Sequence, residues 1–522
     1  MKPGSLTLAL LSFALCLSLQ AQDAVTPLPS AAQPASVAAT SINTVGLSDI
    51  RIVRLSQVRG KVDIDRHIGR GFEEGFANVP ITGGTKLHTD IGLAEVEFED
   101  NSTIRLTPDT EVEFTLLKRT ASGSTISAVT VLHGMVYASL AGTKGNTFTI
   151  AAGKASVVMN PNSHIRLTMD GLNSNISVLD GSVTFTDPFA YTSTIARKKS
   201  LDFDATGGKQ PEFAKLQDSA FDGWDKNGND YQKLYASQRM SGGTGMLYGT
   251  SDLNYYGSFA NSGCGSMWRP YFASAAWSPY DNGVWAYYPS VGYSWVSPYP
   301  WGWMPFHSGN WVNCGGAGWG WQPGGSFTGL QNVAALSPAA GVGSRSLVAV
   351  PAAPRPGAPA MVPVNTRPLA VSSVSAPGTF TFRKDSAGLG VPRDFGELKS
   401  VSSDVAHHGQ VNTEIERSVI GPSPEIARRD GNGNVNANRG ASARESSLGS
   451  HSVATFSRAN ADRGNGDLNA GWSGSRNSMG NPDAGASGMS RQSSASAPRP
   501  QSSASAPSSG SSSQASAGAS HK

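Results

Sequence analysis

The sequence predicts a mainly β protein, and three observations carry that prediction. From Arg51 to about Phe185, apolar and polar residues alternate in short runs. Between Gly265 and Gly324 a tryptophan pattern recurs every 26 to 27 residues. From about Val342 onward Gly, Pro, Ser and Ala dominate and aromatics almost vanish, so little apolar burial is on offer against the entropy of ordering. The expected order is a β-sandwich or β-roll at 51–186 and a short, partly helical bridge at 187–245. A small Trp-rich β-hairpin repeat module at 246–326 and a long, mostly disordered tail at 327–522 complete it.

The N-terminus sets the chemistry available downstream. Lys2, an apolar run from Leu6 to Leu19 and a small residue at Ala21 read as a signal peptide, 1–21. The run is shorter than the ~20 apolar residues a membrane span needs. Cys16 offers lipid anchoring as the alternative, but Leu15 stands where a small residue would be expected. Residues 22–50 form an Ala/Ser/Pro/Thr-rich flexible leader. The chain is therefore expected to be exported, periplasmic or extracellular, with no transmembrane segment after cleavage. Cleavage leaves Cys264 and Cys314, which favour one disulfide in an oxidising compartment. Closing a loop of that length is worth about 4 kcal/mol in the chain-entropy picture. A formal net charge of +3 over 522 residues gives no case for nucleic-acid binding.

Each element has its own signal. Glu95-Val96-Glu97-Phe98-Glu99 puts Val96 and Phe98 on one face and the acids on the other. Ile104-Arg105-Leu106, Val112-Glu113-Phe114 and Ile165-Arg166-Leu167 repeat that alternation, the mark of half-buried antiparallel strands. Gly83-Gly84, Asp170-Gly171 and Asp180-Gly181 supply turns. In the bridge, Phe213, Leu216, Phe221, Trp224, Tyr231 and Tyr235 fall at loosely helical spacing. The nearby Asp225-Lys-Asn227-Gly228-Asn229-Asp230 fails as a calcium loop, because its Gly stands at position four, not six.

The repeat itself reads Trp277-x-Pro279-Tyr280-x-x-Gly283-x-Trp285, then Trp303-x-Pro305-Phe306-x-x-Gly309-x-Trp311. Gly265-x-x-Trp268 returns at Gly292/Trp295 and Gly318/Trp321. Stacked copies of one supersecondary unit explain such a period. Each copy is expected to be a β-hairpin with Pro279 or Pro305 at a strand edge and Gly283 or Gly309 in the turn. Most of the Trp rings are expected in the core, with Trp285 and Trp311 equivalent. The alternative is a surface platform for a glycan or peptide. Its candidate contacts are Trp268, Arg269, Tyr280, Tyr287, Tyr293, Tyr299 and His307.

Two resemblances follow from these residues. Arg59-Gly60-Lys61-Val62, Gly84-x-x-Leu87-x-Thr89-x-x-Gly92 and Ala94-x-Val96-x-Phe98-x-Asp100-x-Ser102-x-Ile104-Arg105-Leu106 resemble the FecR-type periplasmic domain. Leu132-x-Gly134-x-Val136 and Val178-Leu179-Asp180-Gly181-Ser182-Val183 extend the match over about 130 residues. The name-giving member of that family passes a ferric-citrate receptor's signal to a sigma factor through a transmembrane helix. No such helix precedes the domain here, so the resemblance implies the β domain and not that role. Asp252-Leu253-x-Tyr255-Tyr256-Gly257, Met267-Trp268-Arg269-Pro270 and Phe306-His307-x-Gly309-x-Trp311 resemble a module found behind FecR-like domains in secreted bacterial proteins of unknown function.

No Gly-x-Ser-x-Gly elbow, His-Glu-x-x-His helix or Cys-rich cluster appears, so neither catalytic nor metal-ligating residues are assigned and no cofactor is expected. The sequence reads as a non-enzymatic, exported, envelope-associated interaction or scaffold protein. Its partner would be a cell-envelope glycan or an envelope protein. The alternatives are an envelope signalling adaptor and a cell-wall hydrolase.

Overall fold

The computed structural model describes residues 50–236, 248–332, 335–338, 350–376 and 378–415. The expected signal peptide with Cys16 and Ala21, the leader up to residue 49 and everything from 416 onward lie outside the described residues.

Seventeen strands, counted among the described residues, build the first part. The first six are β1 (Val53–Arg59), β2 (Val62–Asp65), β3 (Glu73–Glu74), β4 (Pro80–Ile81), β5 (Lys86–Thr89) and β6 (Leu93–Glu97). Next come β7 (Thr103–Leu106), β8 (Thr110–Arg119) and the long β9 (Thr125–Ser139). After it run β10 (Thr147–Ala152), β11 (Ala155–Met159), β12 (His164–Met169) and β13 (Ser174–Asp180). The set closes with β14 (Ser182–Thr186), β15 (Thr192–Ala196), β16 (Lys199–Phe203) and β17 (Glu212–Lys215).

These strands make two sheets that share β9. One runs β4-β1-β6-β7-β9-β12-β13-β16-β17. The other runs β3-β2-β5-β8-β9-β10-β11-β14-β15, with β9 and β10 parallel. The strand changes sheets at Gly134, whose φ is +89° and where a Cβ would stand 2.4 Å from the Asp109 carbonyl. The facing sides supply one core that includes Val53, Leu55, Val96, Ile104, Val112, Val129, Ile150, Val157, Ile165 and Phe185. Alternation of apolar residues is what fixes this sandwich.

The bridge contains the helix α1 (Asp222–Ala236). Phe221 and Trp224 set it on Leu93 and Tyr137 of the sandwich. The Tyr137 hydroxyl donates to Asp222 at 2.7 Å.

The Trp-rich module opens with α2 (Thr250–Tyr256) and contains three hairpins, not two. They are β18 (Gly257–Ser262) with β19 (Gly265–Pro270), β20 (Asn282–Tyr288) with β21 (Gly292–Val296), and β22 (Asn310–Cys314) with β23 (Gly318–Gln322). A short helix, α3 (Met304–His307), separates the last two. Equivalent cross-strand pairs recur in all three: Phe259 with Trp268, Trp285 with Trp295, and Trp311 with Trp321. The first copy has Phe where the others have Trp, which hides it from a search for tryptophan. Cys264 and Cys314 form a disulfide with a Cα–Cα distance of 6.0 Å, tying the first hairpin to the third.

Gly283 and Gly309 do not sit in the turns, as the sequence reading had them. Each lies at the start of a hairpin, where the indole from the opposite strand crosses the backbone. A Cβ on Gly257 would come within 2.3 Å of the Trp268 ring, on Gly283 within 2.1 Å of Trp295, and on Gly309 within 2.6 Å of Trp321. The period of 26 is thus a Gly–Trp contact copied three times. Gly283→Ala is expected to cost about 3 kcal/mol by overpacking, read as a lowered urea midpoint. An unshifted midpoint would rule out this packing.

Within 327–522, which the sequence marks as mostly disordered with a short apolar stretch at 379–426 expected to order in part, several segments are folded. Residues 335–338 form β24 (Ala335–Pro338), parallel to β22. Residues 350–376 and 378–415 hold β25 (Met361–Asn365), β26 (Ser373–Ala376), β27 (Thr379–Arg383), α4 (Leu398–His408) and β28 (Gln410–Glu414). β25 pairs with β20. Phe380, Phe382 and Phe395 meet at 4.7–4.9 Å, and Phe382 stacks on Phe272 of the Trp module at 5.3 Å. A segment poor in apolar residues folds here because it completes a core supplied mostly by another part of the chain.

Candidate functional site

The outer face of the first sheet carries Arg54, Ser56, Glu95, Glu97 and Arg105, the last three of which the alternation placed on the polar side of half-buried strands. All five are buried, none more than 3% exposed. The cover comes from α1, α2, the segment around Pro300 and the segment containing Arg393. Buried charges survive only when paired and hydrogen-bonded, and here they are.

Three guanidinium groups interleave with four carboxylates. Arg54 donates to Glu97 at 3.1 Å and to Asn78 at 2.9 Å, and lies 2.6 Å from Asp252. Arg105 donates to Glu95 at 2.7 Å, to Asp225 at 2.8 Å and to Asn229 at 2.9 Å. Arg393 grips Asp252 with two donors at 3.0 Å and reaches Glu95 at 2.6 Å. Its guanidinium also lies 4.9 Å from the Tyr231 ring centre, and the Tyr231 hydroxyl donates to Asp252 at 2.7 Å. The sandwich, the bridge helix, α2 and the distal segment each supply at least one charge.

Burial alone would raise Glu95, but Arg393 and Arg105 override it and hold the carboxyl well below the usual range. Glu97 goes the other way. Burial, reinforced by Asp252 and Glu95 and opposed by Arg54, pushes it up to about 7. A proton on Glu97 balances three cations against the three remaining anions.

The folded chain keeps that proton up to about pH 7, whereas an unfolded Glu releases it near 4.5. Stability from this group therefore falls as pH rises from about 4.5 to about 7, by about 3 kcal/mol at most. Buried His307 acts oppositely. Burial holds it at about 3 against an ordinary 6.5, so stability falls as pH drops through that window. Comparing Glu97→Gln with the native chain cancels the His307 contribution. The variant's advantage in urea unfolding should widen by about 2–3 kcal/mol between pH 4.5 and 8. A constant difference would contradict the assignment.

The sequence-predicted contact residues divide into two groups. Trp268, Tyr280, Tyr299 and His307 are buried. Trp268 donates its indole N–H to the Leu253 carbonyl at 3.0 Å, and Tyr299 stacks on Trp301 at 5.2 Å. His307 ends α3, with Nδ1 2.8 Å from the Gly329 carbonyl and its ring against Trp303 at 4.0 Å. Tyr287 remains exposed and Tyr293 half-exposed, with their rings 5.4 Å apart across one hairpin. Half-buried Arg269 donates to the Trp319 carbonyl at 3.1 Å. All nine tryptophans from Trp268 to Trp321 are buried. The structure thus brings these aromatics together as a core and leaves the Tyr287–Tyr293 pair at its margin.

Among the described residues, no group of three or more His, Cys, Asp or Glu is placed to hold a metal ion. No helix among them is long and apolar enough to cross a membrane. The converging carboxylates lie inside, each bonded to an arginine, in an arrangement that clamps segments together and presents no face to a substrate.

Comparison with known proteins agrees with the two-part architecture. Residues 86–184 match the FecR protein family, and residues 250–340 match a family of unknown function, DUF6600. No curated protein sequence matches the chain. Two crystal structures of a putative anti-sigma factor from Parabacteroides distasonis ATCC 8503 are similar at 12% identity, with TM-scores of 0.23 and 0.22. They cover 27% and 28% of this chain, which spans 63% and 72% of theirs. The buried cluster joins the two matched regions to Arg393, a residue beyond both. The chain thus carries a segment that matches the FecR family, followed by a Trp-rich segment that matches that family of unknown function.

Proposed function

We propose that this protein is a non-enzymatic envelope adaptor that acts through protein contacts in a signalling role related to that of FecR-type proteins. The FecR match supports the signalling part. The observation that carries the reading is the inward turn of the aromatic repeat and its fixation to the sandwich through Arg54, Arg105 and Arg393. That construction favours a rigid body displaying surfaces over a groove that stacks sugars. The Cys264–Cys314 bridge fits an oxidising compartment outside the cytoplasm.

The test is deletion of the gene in its host, followed by transcript profiling under envelope stress. A changed set of genes under one sigma factor is expected, restored by the native chain. An unchanged profile, together with co-sedimentation of the purified chain with cell-wall sacculi, would replace this reading with a glycan-binding scaffold.

A further inference from the structure

The two outer faces of the sandwich are treated in opposite ways. The charged face of the first sheet is covered, whereas the half of the second sheet's face formed by β9, β10, β11, β14 and β15 is almost free of charge and is exposed among the described residues. On the second sheet, β10, β11, β14 and β15 contain no acidic or basic residue at all, and His133 is the one such residue in β9. Their outward positions are Thr, Ser, Ala, Val, Ile and Leu. One row can be followed across six strands by register: Leu116, Ala128, Thr149, Val158, Thr184 and Thr194. Leu116 is 42% exposed and Val158 41%, unusual for such side chains in the middle of a sheet. Charge returns at β8, where Glu113 lies 3.9 Å from Lys86.

We propose that this face packs against the same face of a second copy of the chain. A surface with no charge is complementary to itself, whereas charged sheet faces meet a copy of themselves with like charges opposed. Small β-branched and methyl-bearing side chains let two sheets approach to the usual ~10 Å and interdigitate. Five strands at ~4.8 Å spacing, each about 17–20 Å long, give a flat face of roughly 400 Å². Side-chain relief on two such faces brings the buried accessible area to roughly 1,000 Å², near the lower limit for a specific interface. An interface at that limit belongs with weak, transient contacts, so the pair is reversible.

The experiment is sedimentation equilibrium of the full chain, disulfide intact, from about 1 to 300 µM, the range in which weak, transient pairs associate. The average mass should climb from one chain toward two. Thr149→Lys and Val158→Lys, each placing a charge on the open face, should each give one chain at every concentration with the melting midpoint unchanged. Val158→Thr should still dimerise. A native chain that stays monomeric throughout overturns the proposal, as does a dimer that survives both lysine variants. A monomer that binds a neutral polysaccharide, and loses it in Val158→Lys, would make a glycan the occupant and refute the second copy.

Discussion

Replacing Arg393 by Met should destabilise the folded chain by about 3–5 kcal/mol, the usual cost of removing one partner from a buried ion cluster. The change takes one of two arginine partners from each of Glu95 and Asp252, both 1% exposed, leaves the buried cluster one cation short, and removes the cation from the Tyr231 ring. The effect should appear as an earlier urea midpoint and as faster proteolysis within residues 350–415. Making Glu95→Gln in the same chain should recover much of the loss, because it leaves Arg54 with Asp252 and Arg105 with Asp225 and restores the balance of charge. A single Met variant that melts like the native chain would mean that Arg393 only decorates an already stable junction.

Truncation of either equivalent tryptophan, Trp285→Ala or Trp311→Ala, should cost about 3–5 kcal/mol, the range for a large aromatic lost from a core. Trp311 packs against Trp277, Trp301 and Phe306 at ring distances of 5.8–6.0 Å. Trp285 meets Trp295 edge-on at 5.3 Å. Near-equal losses are expected because the two rings occupy the same place in successive hairpins. Thermal melts of both variants provide the check, and two unshifted curves would deny the core role.

These expectations differ in how far the sequence alone reveals them. Period-two alternation marks the sandwich strands, because it reports which residues share a face. It is silent about what covers that face. Glu95, Glu97 and Arg105 therefore read as solvent-facing, while the distant partners Asp225 of Arg105 and Arg393 of Glu95 lie 120 and 298 positions away. Acids and arginines alternating on neighbouring strands were the available signal, visible only once registers such as Glu95 opposite Arg105 are known. The Trp repeat announced its hairpins, yet Gly283 and Gly309 looked like turn residues because a glycine's need for space is invisible without the indole above it. The folded segment at 350–415 was legible only as a short apolar stretch after Thr379, because Phe380, Phe382 and Phe395 are too few to make a core alone. They suffice once Phe272 is added.

The central claim is that the FecR-like sandwich, the Trp-rich hairpins and the segment bearing Arg393 form one cooperative unit joined by buried charge. Differential scanning calorimetry of the full oxidised chain at neutral pH tests it most directly. One transition with equal calorimetric and van't Hoff enthalpies is the predicted result. Two separated transitions, with the sandwich and the hairpin module melting independently and Arg393→Met shifting neither, would contradict it.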